Sequence, residues 1–256
     1  MISLSSETID TAAVYENEEA ISCSIREKEL KKLDLRREDI FITTKLSPSD
    51  HGSGRARKAA LDCIKRLGLN YLDLMLIHWP GVSGLEPSDP KNATLRKETW
   101  SDLETLVNEG VIKSIGVSNY TKNHINQLLS HSKILPVINQ VEFHPFCHQV
   151  ELLQFCSKQK IHLQAYSSLG SANGWDDLKV NESLIKISKM KGKSIPQILL
   201  KWAINQGVLI IPKTSKIINL PTNLDLFSFD LNEDEMKIIS GLNRNHRYSW
   251  DPNTIT

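Results

Sequence analysis

Short apolar runs alternate with longer amphipathic stretches along the chain, and this alternation constrains the fold more than any other feature. Several of the short runs are almost continuously apolar, as in LDLMLI and VLII. Such runs are typical of parallel strands that are covered on both faces. Repeated strand–helix pairs favour a parallel α/β domain, either a closed barrel or a large open sheet. The candidate strands cover residues 8–9, 40–44, 71–77, 114–117, 137–141, 162–165 and 208–211.

Amphipathic patterns between these runs predict helices over residues 18–32, 55–67, 95–109, 122–130, 149–159, 182–191, 196–205 and 232–242. No strand–helix turn carries the GxGxxG pattern of an open dinucleotide-binding sheet, which favours the barrel. A complete barrel has eight strands. Because seven candidates are found, we expect a TIM (β/α)8-type barrel whose first strand and helix are missing. No linker or low-complexity segment interrupts the chain, so residues 1–256 are expected to form a single domain.

The composition excludes several classes of partner. With 31 basic and 30 acidic residues the net charge is +1, which gives no general attraction to nucleic acid or to an anionic membrane. No apolar run has the length of a membrane span, and the first residues, MISLSSETID, lack the basic and apolar segments of a secretory signal. The four cysteines form no CxxC pair. We therefore expect a cytoplasmic monomer without a nucleic-acid or membrane partner.

Polar and titratable residues follow nearly every predicted strand. Because the carboxyl ends of parallel barrel strands point to one rim, we expect these side chains to converge on one site. Each could also be an ordinary residue of its kind: Tyr15 a packing residue, His78 a core histidine and Asp10 a helix cap. Lys45 resists such an explanation because it directly follows a buried strand. The residues are Asp10 with Tyr15, Lys45, His78, Ser118 with Asn119, Gln140 with Glu142, Tyr166, and Lys213 with Thr214.

The motifs at these strand ends resemble those of the aldo-keto reductases. In chain order they are IDTAAVYENEE, ITTKL, LIHWP, SIGVSNY, NQVEFHP, AYSSLG and IPKT. The resemblance extends from about Ile9 to the last residues. It implies an oxidoreductase that reduces a small-molecule aldehyde or ketone to an alcohol by hydride transfer from NADPH. The catalytic residues that it implies are Asp10, Tyr15, Lys45 and His78.

These four residues suit the chemistry of carbonyl reduction. A free tyrosine, with a pKa of about 10, is a weak acid. We expect the buried Lys45 ammonium to favour phenolate character in Tyr15 and to help it donate a proton. Asp10 is expected to hold Lys45 by a charged hydrogen bond. His78 is expected to orient the carbonyl oxygen beside Tyr15.

The resemblance also implies residues that bind the cofactor and the substrate. Ser118, Asn119 and Gln140 match positions that hydrogen-bond the nicotinamide carboxamide, and Tyr166 matches the ring that stacks on it. Trp79, beside His78, resembles an aromatic wall of the substrate pocket; an ordinary apolar anchor explains Trp79 equally well. The other cofactor positions are Ser167, Leu169, Lys213, Thr214 and Asn223.

The phosphate end of the cofactor site departs from the family pattern. Asn219 stands where an arginine usually grips the adenosine 2′-phosphate. Losing a guanidinium weakens phosphate recognition, so NADPH is expected and NADH is an alternative. This change and the missing strand also leave open a catalytically impaired barrel that binds a nucleotide or a protein partner. No metal site is predicted, because His144, Cys147 and His148 lack a fourth ligand at a zinc-type spacing.

Overall fold

The chain, seen in a computed structural model that describes residues 8–256, divides into two units. The first comprises the described residues up to Asn139 together with Pro252–Thr256, and the second comprises Gln140–Asp251. The prediction about a secretory signal falls mainly on residues 1–7, which lie outside the described range. Within residues 8–256, no helix combines the length and the apolar character needed to cross a membrane.

Four parallel strands form the framework of the first unit. Strand β3 is buried at all six positions, which accounts for its almost continuously apolar sequence LDLMLI. The register sets Asp10 opposite Thr43, and Lys45 opposite Leu76. Because the strands are parallel, their carboxyl ends lie at the same edge of the sheet. The strands are β1, Thr8–Asp10; β2, Phe41–Leu46; β3, Leu72–Ile77; and β4, Ile112–Ser118.

The helices of the first unit connect these strands. The pattern over residues 18–32 predicts one helix, but the structure has two, separated at Ile25 and Arg26. Both Ile25 and Leu30 are buried. Five residues apart on a continuous helix, they would point in directions about 140° apart. The break therefore lets both side chains enter the core. The helices are α1, Glu18–Ser24; α2, Glu27–Lys31; α3, Arg55–Leu67; α4, Lys91–Asn108; and α5, Lys122–Leu129.

The second unit continues the alternation of strands and helices. Its strands β6, His162–Tyr166, and β7, Leu209–Ile210, pair in parallel. Strand β5, Ile138–Glu142, has residues in both units. Each of the seven predicted strands is present. The helices are α6, Val150–Lys158; α7, Ser171–Lys179; α8, Glu182–Lys191; α9, Ile195–Asn205; α10, Asn219–Leu224; and α11, Glu233–Ser240.

Helix α7 lies where the polar composition of residues 167–179 predicts a loop. Gly174 and Leu178 are its buried residues, four positions apart and hence on one face. A Cβ atom on Gly174 would collide with the ring of Tyr248. The glycine is thus required by close packing, but in the sequence it breaks the apolar pattern that would have revealed the helix.

Candidate active site

A short turn after β1 presents Tyr15. The chain leaves β1 at Asp10 and forms a 3-10 helix over Ala13–Tyr15. Glu16 ends this turn with a left-handed backbone, φ 51°, before α1 begins. The Tyr15 side chain is about half exposed (50 %). Its position makes the phenol accessible to a ligand while one part of the ring contacts the protein.

Lys45, on β2, is fully buried and is paired with Asp10. Its ammonium forms a short salt bridge with the Asp10 carboxylate and donates a second hydrogen bond to the Thr11 carbonyl oxygen at 2.9 Å. Burial lowers the pKa of Lys45, and the charge and hydrogen bond of Asp10 oppose that shift. Asp10 therefore lies where it offsets the cost of burying the ammonium.

Tyr15, His78 and Lys45 form a cluster at the carboxyl ends of β1, β2 and β3. The rings of Tyr15 and His78 meet edge to face, with 5.8 Å between their centroids and 86° between their planes. The Lys45 ammonium lies 5.3 Å from the centroid of the Tyr15 ring. The Tyr15 ring thus has the buried Lys45 ammonium on one side and the His78 imidazole on another.

The pKa values of Tyr15 and His78 determine which protonation state each ring has in the free protein. The buried cation is expected to favour the phenolate, but burial, followed by the Asp10 charge, raises the pKa of Tyr15 to about 12. In the free protein these two effects keep the phenol protonated, and the influence of Lys45 on the phenolate that forms during the reaction stays a prediction. Burial, followed by the Lys45 charge, lowers the pKa of His78 to about 4. At neutral pH the site holds a protonated phenol and a neutral imidazole.

Glu18 is a buried carboxylate near the site for which the sequence predicts only a place in a helix. Its side chain is 2 % exposed and accepts hydrogen bonds from Thr44 at 2.6 Å and from Arg66 at 2.7 Å. Thr44 immediately precedes Lys45 on β2. Glu18 therefore ties the start of α1, just after Tyr15, to the strand that carries Lys45. Glutamate is common in the first turn of a helix, so the sequence around Glu18 gives little sign of its contacts with Thr44 and Arg66.

Ser118 and Asn119 are buried at the end of β4, in the same unit as the cluster. Asn119 has a left-handed backbone, φ 62°. Its amide nitrogen donates to the His78 carbonyl oxygen at 3.0 Å and to Ser118 Oγ at 3.1 Å. Trp79, half-buried, directly follows His78. The residues predicted to bind nicotinamide and substrate in this unit therefore adjoin the cluster of Tyr15, His78 and Lys45.

Four of the predicted cofactor residues lie around β5 and β6 in the second unit. Gln140 is buried, and its amide donates to Gln164 Oε1 on β6 at 2.8 Å. Tyr166, half-buried, ends β6, and burial raises its pKa. Ser167 has a left-handed backbone, φ 52°, and pairs its hydroxyl with that of Ser171. Leu169 is half-buried in the same turn.

The remaining cofactor candidates lie after β7. Lys213 is exposed, whereas Asn223 is buried on α10. The Thr214 hydroxyl oxygen accepts hydrogen bonds from the Lys216 backbone N–H at 3.1 Å and from the Asn219 amide at 3.2 Å. Asn219 thus closes a small polar turn whose two lysines face solvent.

Comparison with known proteins finds close relatives over nearly the whole chain. The sequence model of the Aldo/keto reductase family matches residues 2–244. An oxidoreductase of Bacillus subtilis, YtbE, whose activity is uncharacterised, is 40% identical over 97% of this chain and 83% of its own. Glyoxal reductase of the same bacterium is 38% identical with the same coverage. Aldose reductase C of Dictyostelium discoideum is 39% identical over 93% of this chain and 78% of its own.

Solved structures agree with these sequence relationships. An aldo-keto reductase from a Medee basin deep-sea metagenome library aligns with a TM-score of 0.86 and 36% identity, over 98% of this chain and 86% of that one. The aldo-keto reductase of Bombyx mori, solved with NADP, aligns with a TM-score of 0.85 and 34% identity, over 94% and 80%. The predicted α/β fold of the TIM-barrel type is confirmed. This chain belongs to the aldo/keto reductase family.

Proposed function

We propose that this chain reduces aldehydes or ketones to alcohols with a nicotinamide cofactor and that Tyr15 is the proton donor. The observation that carries this proposal is the cluster of Tyr15, His78, Lys45 and Asp10 at the ends of three adjacent parallel strands. Family membership and relatives named glyoxal reductase and aldose reductase support the same reaction class.

The side chains divide the reaction between them. When bound, a reduced nicotinamide would supply the hydride for the carbonyl carbon. Tyr15 supplies the proton that the carbonyl oxygen needs, and its raised pKa keeps that proton in place before the reaction. As the phenol loses the proton, the nearby Lys45 ammonium stabilises the negative charge that remains. Neutral His78 offers an N–H to the carbonyl oxygen and orients it beside the phenol.

The described residues fit a nicotinamide dinucleotide. In the first unit, Asn119 carries a side-chain amide of the kind that would hydrogen-bond a carboxamide. In the second unit, Gln140 carries another such amide and Tyr166 a ring of the kind that would stack on nicotinamide. At the other end, exposed Lys213 and Lys216 would hold the adenosine phosphate. Ser118, Ser167, Leu169, Thr214 and Asn223 complete the proposed set of contacts.

The proposed activity is tested by following NADPH oxidation with a generic aromatic aldehyde such as a nitrobenzaldehyde. We expect turnover that depends on the aldehyde and on the protein. Cofactor binding without turnover for any aldehyde or ketone would instead favour the catalytically impaired, nucleotide-binding protein that the sequence leaves open.

The pH dependence of the same reaction follows from the two shifted pKa values. With pKa values of about 4 for His78 and about 12 for Tyr15, both side chains keep one protonation state through the neutral range. The kcat/KM for reduction, which reports groups of the free enzyme, should therefore be constant from about pH 6 to about pH 9. A bell-shaped profile with a pKa near 7 that persists with several aldehydes would contradict this assignment.

We propose NADPH as the preferred cofactor. Because Asn219 stands in place of an arginine, the preference for NADPH over NADH should be weaker than an arginine would give. Replacing Asn219 with arginine adds a guanidinium beside the lysine-bearing turn and loses one exposed hydrogen bond to Thr214. The KM for NADPH should fall by about tenfold while that for NADH stays within about twofold. The matched control is Asn205→Arg, which adds the same charge at an exposed position on α9 beside Asp230. Equal effects of the two variants, or faster reduction by wild type with NADH than with NADPH at equal low concentration, would overturn the assignment.

A further inference from the structure

Buried side chains hold the backbone of residues 78–82, the segment that follows β3. We call this stretch the post-β3 segment. Four of its backbone groups, on residues 78, 79, 80 and 82, have a hydrogen bond to a side chain from elsewhere in the first unit. These bonds are Asn119 Nδ2 to the His78 oxygen at 3.0 Å, His51 Nε2 to the Trp79 oxygen at 3.1 Å, Arg96 Nη1 to the Pro80 oxygen at 2.8 Å, and the Val82 N–H to Asn92 Oδ1 at 2.9 Å.

The four side chains are themselves fixed by burial. Their exposed fractions lie between 0 % and 6 %. They come from three places in the chain: His51 follows the 3-10 helix Pro48–Asp50, Asn92 and Arg96 belong to α4, and Asn119 follows β4. Rigid partners from separate elements determine the path of a segment that is itself neither helix nor strand. His78 and Trp79 therefore leave β3 in a fixed direction.

His51 has a simple role in this arrangement. Its Nε2 contacts the Trp79 carbonyl oxygen, whereas its buried Nδ1 has no hydrogen-bond partner among the described residues. Burial lowers the pKa of His51 to about 4, so the ring is neutral. A neutral imidazole carries one N–H, and the geometry assigns it to Nε2 because the partner is a carbonyl. The His51 side chain thus holds the post-β3 segment through one hydrogen bond, which Nε2 donates to the Trp79 carbonyl oxygen.

We propose that His51 is a positioning residue of the reductase, which holds the Trp79 backbone so that the Trp79 ring forms a fixed wall for the substrate. This inference rests on the proposed function. His78 is held separately by Asn119, and Lys45 by Asp10, so the proton-transfer groups keep their places when His51 is lost. The loss should therefore act on substrate binding more than on the chemical step.

The test compares His51→Met with His51→Gln. Methionine fills a similar volume without an N–H, whereas the glutamine amide can place a donor near the position of Nε2. For an aromatic aldehyde we expect His51→Met to raise KM by about tenfold, because about one buried hydrogen bond is lost. The kcat of this variant should change by less than about threefold. His51→Gln should restore a KM within about threefold of wild type.

The same pair of variants in a Trp79→Ala background separates positioning from general destabilisation. If His51 acts through the Trp79 ring, His51→Met should change KM by less than about twofold once that ring is gone. An undiminished effect of His51→Met in the Trp79→Ala background, or a glutamine variant as impaired as the methionine variant, would overturn the proposal.

Hydrogen exchange measured by mass spectrometry on the free protein keeps this test independent of turnover. Peptides covering residues 78–85 should exchange faster in His51→Met than in wild type, and His51→Gln should match wild type. If wild type reduces no carbonyl compound, the proposed function fails, and the exchange data still decide whether His51 holds the segment. Unchanged exchange in His51→Met would show that it does not.

Discussion

Replacing Tyr15 with phenylalanine should abolish carbonyl reduction and leave cofactor binding unchanged. The substitution removes the phenol oxygen and keeps the ring that meets His78 edge to face at 5.8 Å. Without a proton donor the alkoxide that develops on the substrate is not neutralised, and general acid catalysis of this kind contributes about 10²- to 10⁴-fold. We expect kcat/KM to fall by at least about a thousandfold. The measurement is NADPH oxidation with an aromatic aldehyde, alongside a separate titration of NADPH binding.

Tyr71→Phe is the matched control for this experiment. Tyr71 immediately precedes β3, at the opposite end of the strand from His78. Its ring face contacts Arg37 at 4.3 Å and Lys113 at 3.8 Å from the centroid, and phenylalanine preserves both contacts. Turnover of this variant should equal that of wild type. A Tyr15→Phe enzyme that retains more than about a tenth of wild-type kcat/KM would show that another group donates the proton.

Replacing Lys45 with methionine should impair both the activity and the stability. The lysine is fully buried, and its removal leaves the Asp10 carboxylate, whose side chain is 14% exposed, without its cation. Breaking a buried pair from one side costs about 3 kcal/mol of unfolding free energy. The phenolate that forms on Tyr15 also loses the charge 5.3 Å from its ring, so kcat should fall by at least about a hundredfold.

A double variant separates these two effects of Lys45. In Lys45→Met/Asp10→Asn neither charge is left unpaired, so much of the lost stability should return while the activity stays low. Urea denaturation gives the free energy of unfolding, and the NADPH assay gives kcat. The exposed pair Lys58–Asp62 supplies a control, since Lys58→Met should change neither quantity measurably. Full recovery of kcat in the double variant would show that the Lys45 charge has no role in proton transfer.

The sequence predicts the strands and the placement of the four proposed catalytic residues well, for a physical reason. Buried parallel strands need apolar residues on both faces, so a lysine such as Lys45 is conspicuous at the end of one. The structure brings Asp10, Tyr15 and His78 to the same cluster. The roles of all the predicted site residues in catalysis and in cofactor and substrate binding stay predictions, as do the monomeric state, the single domain and the cytoplasmic location.

Features that depend on side-chain packing are the ones that the sequence does not reveal. The pKa of Tyr15 is raised by the partial burial of its ring and by the nearby Asp10 charge, and neither is visible in a motif. The sequence does not predict helix α7, because its buried face contains Gly174, a residue typical of loops. Glu18 looks like an ordinary first-turn acid until its contacts with Thr44 and Arg66 are seen.

The four residues of the catalytic cluster all belong to the first unit and to the first 78 residues of the chain. The residues proposed for the cofactor extend as far as Asn223. In terms of the gene, the codons for the proposed proton-transfer residues are separate from most of the codons for the proposed cofactor contacts. On the proposed assignment, a mutation at the Asn219 codon would change cofactor preference while the codons for Asp10, Tyr15, Lys45 and His78 stay unaltered.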